Sequence, residues 1–214
     1  MNVIGFDDGP FAREHRGDVL LVGVVCSATR IDGIVSGRIR RDGADATRRM
    51  VELVRASQFG EHVQAILLQG IAVGGFNVVD INGLSQALKI PVLVVVRRPP
   101  DMQAVRRALF SETPPARPRV PGAKRKWKLI ESAGVLEEIG PSRRAQKRAA
   151  ALPAGARAKG APPTRLWVQR AGLSVEEARR VLAATTLHGN IPEPHRVAHL
   201  VAGGITTGRS RGRA

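Results

Sequence analysis

Apolar residues fall in short blocks along the chain, and their spacing changes from one stretch to the next. Residues 2–7 run apolar into Asp7 and Asp8 before Gly9-Pro10 breaks the segment, which predicts a first strand ending in two carboxylates. Residues 18–26 (DVLLVGVVC) and 31–39 (IDGIVSGRI) predict a second and third strand, and the short link Ser27-Ala28-Thr29-Arg30 favours an antiparallel meander. After Asp42-Gly43 the period lengthens: Ala44, Met50, Val51 and Val54 among charged neighbours predict a helix through about Gln58. Residues 63–68 (VQAILL) predict a fourth strand, 69–77 a glycine-rich turn, 78–88 a helix, and 91–96 (PVLVVV) a fifth strand covered on both faces.

Farther on, the pattern predicts a helix over 101–110, a proline-marked loop through Pro121, and a short helix over 127–133. Residues 141–165 are almost only Ala, Gly, Pro, Arg and Lys, which cannot supply a core and read as a flexible basic insertion. A short strand over 166–169 follows. Ser174-Val175-Glu176-Glu177 is a capping box opening a helix to about Leu187, and Pro192 starts another through Ala202. Strand, strand, strand, helix, strand, helix, strand is a three-strand meander followed by two crossover units. That order is an α/β, ribonuclease-H-like mixed sheet flanked by helices. A doubly wound nucleotide-binding fold needs a helix between its first two strands, and none fits there.

At 214 residues the chain is long enough for one substantial core, so 1–214 is expected to be a single domain. No apolar run reaches bilayer length, no leader pattern is visible, and the single Cys26 gains nothing from an oxidising compartment, so a cytoplasmic location is expected. Net charge of +16 changes the picture most: it predicts attraction to nucleic acid. Lys124, Arg125 and Lys126 before Trp127, the run Arg143-Arg144-Ala145-Gln146-Lys147-Arg148, and Arg209, Arg211 and Arg213 in the tail suit phosphate contacts. Trp127 could stack a base, but beside Leu129 and Ile130 it also suits a core.

Metal-dependent strand cleavage needs carboxylates that converge on Mg²⁺ or Mn²⁺, because hard oxygen ligands must clamp phosphate and attacking water together. Asp7 is the first candidate, with Asp8 pointing to the opposite face unless the strand has turned. Asp7-Asp8-Gly9-Pro10 is also ordinary turn chemistry. Asp42 could lean towards Asp7, whereas Asp45 suits a helix N-terminus. Gln69 ends the fourth strand where a second metal-binding carboxylate is expected; its amide oxygen can touch Mg²⁺ but brings no charge. Gly74-Gly75-Phe76-Asn77 could receive a nucleic-acid backbone on exposed amides with Phe76 stacking, or could be only a tight turn. His195 and His199 have the i, i+4 spacing of two metal ligands, with no third ligand evident.

Gly5-Phe6-Asp7-Asp8-Gly9-Pro10-Phe11 resembles the opening motif of the endonuclease dU family, long catalogued as archaeal proteins of unknown function. Further matches are Asp42-Gly43 with Asp45-Ala46-Thr47, Gly74 to Asp80, Arg97-Arg98, Ile191-Pro192-Glu193-Pro194, Arg196, Ala198-His199, and Gly208 with Ser210 to Ala214. The more distant endonuclease V family is similar in its Gly-x-Asp strand at Gly5 to Asp7, its Pro-Glu-Pro helix start at 192–194, and its lysine near Arg97. The resemblance implies a Mg²⁺-dependent repair endonuclease acting on deoxyuridine or a related deaminated base, in DNA rather than RNA. Both families usually carry Asp at the position of Gln69, and a Pro-Gly-His motif of endonuclease V is replaced by Ala171-Gly172-Leu173. The alternatives are a catalytically silent relative that still binds nucleic acid, and a small-molecule phosphate binder built on Gly74 and Gly75. The last explains neither the charge nor the strand order.

Overall fold

The computed structural model describes residues 1–110, 120–140, 165–187 and 191–210. Three long strands open the chain: β1 (Asn2–Asp8), β2 (Asp18–Ser27) and β3 (Arg30–Arg40). They form the expected antiparallel meander, with Phe6 opposite Gly23 and Val22 opposite Ser36. Helix α1 (Ala46–Ala56) leads to β4 (Ala65–Leu68), and a small hairpin of β5 (Ala72–Val73) and β6 (Asn77–Val78) occupies the glycine-rich turn. Helix α2 (Ile81–Leu88) then crosses to β7 (Val92–Val96). The remainder comprises α3 (Met102–Phe110), α4 (Ala123–Ser132), β8 (Glu137–Ile139), β9 (Leu166–Ala171), α5 (Val175–Thr185) and α6 (Glu193–Thr207).

The main sheet has seven strands in the order β3-β2-β1-β4-β7-β9-β8. β1, β4 and β7 are parallel neighbours in its centre, and β9 runs antiparallel to β7. This is the mixed α/β sheet predicted from the element order, extended by two strands. β8 was not foreseen, because Glu137-Glu138-Ile139 is short and charged and becomes a strand only by pairing with 166–168 of β9. Likewise α2 starts at Ile81, because Asn77 and Val78 are spent on the hairpin and the Asp80 side chain caps Gly83 N. α4 starts four residues before the expected helix, and α6 runs past Ala202 to Thr207, where Gly208 closes it with φ near +69°. The Ser174–Glu177 capping box is present with both of its reciprocal hydrogen bonds. The expected basic insertion lies, apart from Arg165, outside the described residues, as does Arg211.

Alternation along the central strands sorts side chains to two faces. Ile4, Phe6, Ile66, Leu68, Val92 and Val94 face α1 and α2, where they pack with Met50, Val54, Ile81 and Leu84. Val3, Ala65, Leu67, Leu93 and Val95 face the other way, against Val181 and Leu182 of α5. α6 covers the adjoining part of that second face, with Val197, Ala198 and Ala202 against Val22, Val24 and Cys26. Cys26 is fully buried there. Among the described residues no helix is long and apolar enough to cross a membrane.

One polar residue holds the meander to the hairpin. Asn77 is fully buried; its Oδ1 accepts from Ala46 N at 3.1 Å, and its Nδ2 donates to Arg40 O at 2.9 Å and Asp45 Oδ1 at 2.7 Å. Asn77 thus caps α1 from a distant part of the chain. Asp45 stands at the N-cap position as expected, but its side chain makes no cap bond and braces Asn77 and Arg40 N instead. Asn77→Ala should cost about 1–3 kcal/mol, since the buried Ala46 N loses its partner along with the part-buried Arg40 O and Asp45 Oδ1. A urea midpoint unchanged from wild type would contradict that bracing role.

Candidate active site

Asp7 lies at the C-terminal end of β1 on the face covered by α6. It is 9% exposed, and its two oxygens are both engaged: Oδ1 accepts from Asp8 N at 3.0 Å, and Oδ2 lies 3.0 Å from Nδ1 of His199. The helix reaches the strand so closely because residue 5 has no side chain. A Cβ on Gly5 would stand 2.6 Å from the Cβ and 2.7 Å from the carbonyl carbon of Pro194. Glycine in the first strand and proline at the start of α6 are therefore two halves of one contact, and it brings His199, a helical turn past His195, over Asp7.

Burial holds the Asp7 carboxyl above its ordinary range, with the His199 and Asp8 contacts pulling the other way. Asp8 is pushed up to about 6, first by burial and then by the neighbouring Asp7 charge; a hydrogen bond from the Gly74 backbone opposes the shift. Two acids and an imidazole thus share one end of the sheet. The ring of His199 remains 39% exposed, so Nε2 is open to exchange a proton with a bound group while Nδ1 is held by Asp7.

Gln69 follows β4 directly, and since Phe6 pairs with Leu68 the continued register sets Gln69 beside Asp7. Its Oε1 is buried without a partner and lines a cavity of about 230 Å³ shared with Arg97, Pro192 and His195. Asp42 does not lean on Asp7. It takes a left-handed backbone (φ 51°), its Oδ1 accepts from Phe76 N at 2.8 Å, and its Oδ2 lies 3.3 Å from Arg41 Nε. Asp42 N donates to Gly74 O at 2.8 Å, so Asp42 anchors the same loop whose Gly74 amide meets Asp8.

The residues expected to meet nucleic acid divide into available and unavailable ones. Gly75, Lys124, Arg125 and Arg209 are exposed, and Arg97 is half-buried. Gly74 is buried, Phe76 packs beside Val78, Leu109 and Ile130, and Asn77 has no free polar atom. Trp127 joins the same cluster, edge-on to Phe110 with ring centroids 6.3 Å apart, so the core reading of Trp127 holds in the fold. Lys126 is corrected most sharply: it is 2% exposed and its Nζ donates to Asp42 O at 2.5 Å. It faces inwards because α4 turns Lys126 and Ile130, one turn apart, to the same buried side.

Sequence reasoning missed two contributors. Along the chain His199 reads as a partner of His195 in a metal pair and as part of the Ala198-His199 match, yet in the fold the two rings serve different places. Arg41, which drew no attention, ties the loop after β1 to the end of β3: its Nη1 donates to Arg13 O at 2.6 Å and to His15 O, and its guanidinium stacks 5.1 Å from the Phe11 ring. No local pattern marks such an Arg among thirty-four basic residues. The loop it holds forms one wall of a groove of about 620 Å³, lined by Phe11, His15, Leu20, Arg38, Ile205 and Thr206.

His195 is 1% exposed, and burial pushes its ring down to about 4, partly offset by a hydrogen bond to the Leu67 backbone. The unfolded chain therefore binds the extra proton between pH 6.5 and 4 and the folded one does not. Stability should be fully present above pH 6.5 and fall by about 3 kcal/mol as pH drops to 4. Urea melts of His195→Gln should show that acid slope reduced by one proton; an unchanged slope would place the effect elsewhere.

Among the described residues no group of three or more His, Cys, Asp and Glu is arranged to hold a metal ion. A Mg²⁺ ion asks for less when substrate is present, since it keeps several waters and takes one or two carboxylates plus phosphate oxygens. Asp7 and Asp8 come nearest to that smaller demand: Asp7 is buried and Asp8 half-buried beside it, and the Asp7 charge that raises Asp8 is one a cation would offset.

Comparison with known proteins agrees with this architecture. A UPF0215 protein of Deinococcus radiodurans is 46% identical over 211 residues, covering 99% of this chain and 92% of the relative. The crystal structure of a protein of unknown function from Archaeoglobus fulgidus superposes with a TM-score of 0.74 at 32% identity, over 96% of this chain and 98% of that one. Ciona intestinalis endonuclease V, solved with a 24mer DNA containing an inosine followed by a ribo-adenosine, matches with a TM-score of 0.53 at 14% identity, over 92% and 82% of the two chains. At that identity the likeness shows the ribonuclease-H-like fold. Residues 1–206 match the family described as Endonuclease dU, and the chain belongs to that family.

Proposed function

We propose that this protein is a Mg²⁺-dependent endonuclease that cleaves a DNA strand beside a deaminated base, deoxyuridine or deoxyinosine. The observation that carries the reading is the Asp7–His199 pair at the end of the central strand, with Asp8 beside it and an open groove alongside. Family membership and the endonuclease V fold support a nuclease, and the endonuclease V of Ciona intestinalis was crystallised on inosine-containing DNA.

Asp7 and Asp8 would hold the ion, which when bound supplies charge to offset the phosphate and acidifies the attacking water. The chain's own part is separate from that. Asp7 fixes the tautomer and direction of His199, so that Nε2 can take a proton from water as it attacks phosphorus or return one to the departing sugar oxygen. Arg41 and Asp42 keep the two loops beside the site in place. Exposed Lys124, Arg125 and Arg209 add phosphate contacts that hold the strand without reading its sequence.

The test is strand cleavage of end-labelled oligonucleotides carrying deoxyuridine or deoxyinosine, in DNA and RNA contexts, with Mg²⁺ or Mn²⁺. Metal-dependent nicking at the modified position is the expected result. Salt-sensitive binding with no cleavage under any metal would instead establish the catalytically silent reading, for which the neutral Gln69 is the specific cause.

A further inference from the structure

The cavity behind Gln69 is not used by the chemistry proposed above. It lies between the ends of β4 and β7, the start of β9 and the first turn of α6. Val95, Leu166 and Pro192 supply apolar walls, while Gln69, Arg97 and His195 supply the polar groups. Two of these carry buried atoms with no partner: Gln69 Oε1 and His195 Nε2. A buried polar atom left unpaired costs about 1–3 kcal/mol, so two in one cavity mark a place that a ligand would repay.

The chemistry of the lining limits what that ligand can be. The His195 ring is neutral, and with a hydrogen bond to the Leu67 backbone its Nε2 presents a lone pair. Gln69 offers a carbonyl oxygen, or amide hydrogens if the group turns over. An anion would meet two acceptors, and a cation would meet Arg97. A neutral planar ring with an N–H beside a carbonyl oxygen fits both groups: the N–H donates to His195 Nε2, and the carbonyl oxygen accepts from the Gln69 amide turned over or from Arg97. A cavity of roughly 150 Å³ holds a benzene ring; at about 230 Å³ this one has room for a six-membered heterocycle with its exocyclic atoms.

We propose that the cavity lined by Gln69, Arg97 and His195 is a nucleobase site, which docks a single base by an N–H edge against Gln69 and His195. That the occupant is a base and not another heterocycle rests on the nucleic-acid reading above. The cavity opens beside Gln69, which follows the Phe6–Leu68 pair directly and so adjoins the end of β1 that carries Asp7.

The experiment is an NMR titration of the ¹⁵N-labelled full chain with uridine, observing the His195 ring nitrogens, with 3-methyluridine as the probe that lacks the ring N–H. Uridine should shift His195 Nε2 saturably, and 3-methyluridine should bind at least tenfold more weakly. Leu166→Trp, which narrows the cavity from its apolar wall and leaves both polar groups in the chain, and Gln69→Leu should each abolish the shift. No saturable His195 response to uridine, cytidine or inosine would overturn the site, and equal binding of the methylated probe would overturn the N–H edge. Cleavage is scored separately: nucleoside binding without any nicking keeps the site and sinks the nuclease reading, whereas nicking without nucleoside binding does the reverse.

Discussion

Asp7→Asn is expected to lower strand cleavage by about 10²–10⁴-fold, in line with the loss of a positioned acid–base pair. The variant should remain folded. An amide in place of Asp7 can still accept from Asp8 N and still meet His199, so neither neighbour is orphaned. Stability should even rise slightly, by the following sign. Burial holds the Asp7 carboxyl above its ordinary range, so the unfolded chain ionises more readily and the folded charge costs free energy above that range. Removing the charge relieves this cost. A urea midpoint equal to or above wild type together with lost nicking is the signature of a site that exchanges stability for chemistry. Retained nicking in Asp7→Asn would remove Asp7 and His199 from the mechanism.

Gly5→Ala should destabilise the fold by about 1–3 kcal/mol, the usual cost of forcing one extra carbon into a packed site. The new Cβ would lie within 3.0 Å of backbone atoms of Pro194 and His195, and backbone cannot rotate aside as a side chain can. The relief open to the protein is to lift the first turns of α6 from β1. Because that helix also carries His199, the same substitution should loosen the Asp7–His199 contact and reduce cleavage beyond what unfolding explains. Urea denaturation and nicking rate measured on the same preparations check both parts. A Gly5→Ala protein with wild-type midpoint and wild-type rate would show that helix and strand have slack between them.

Much of this site was legible along the chain. Asp7 could be placed at a strand end because the apolar run 2–6 stops at a carboxylate followed by Gly-Pro, and local patterns of that kind are written in consecutive residues. The parallel arrangement of β1, β4 and β7 followed from the helices between them, since parallel strands need a crossover. Gln69 could be set near Asp7 for the same reason: it follows β4 directly, and β4 pairs with β1 up to Phe6.

What the sequence could not determine were the partnerships across long separations. His199 lies 192 residues from Asp7, Lys126 lies 84 from Asp42, and Asn77 lies 31 from the helix start it caps. Each of these polar groups has an ordinary local reading: a helical histidine, a basic surface run, a turn residue. Burial of Asn77, of Lys126 and of the Asp7 that His199 meets overrules it, because a polar atom removed from water must find whatever complementary atom the packed fold brings within about 3 Å. The sequence by itself determined the order of the meander, its two crossover units and the helices that follow, and which strand ends carry oxygen. Only tertiary packing decided the rest: the bare backbone of Gly5 under Pro194 let the carboxylate of Asp7 meet an imidazole, and the buried side of α4 turned Lys126 inwards onto Asp42 O.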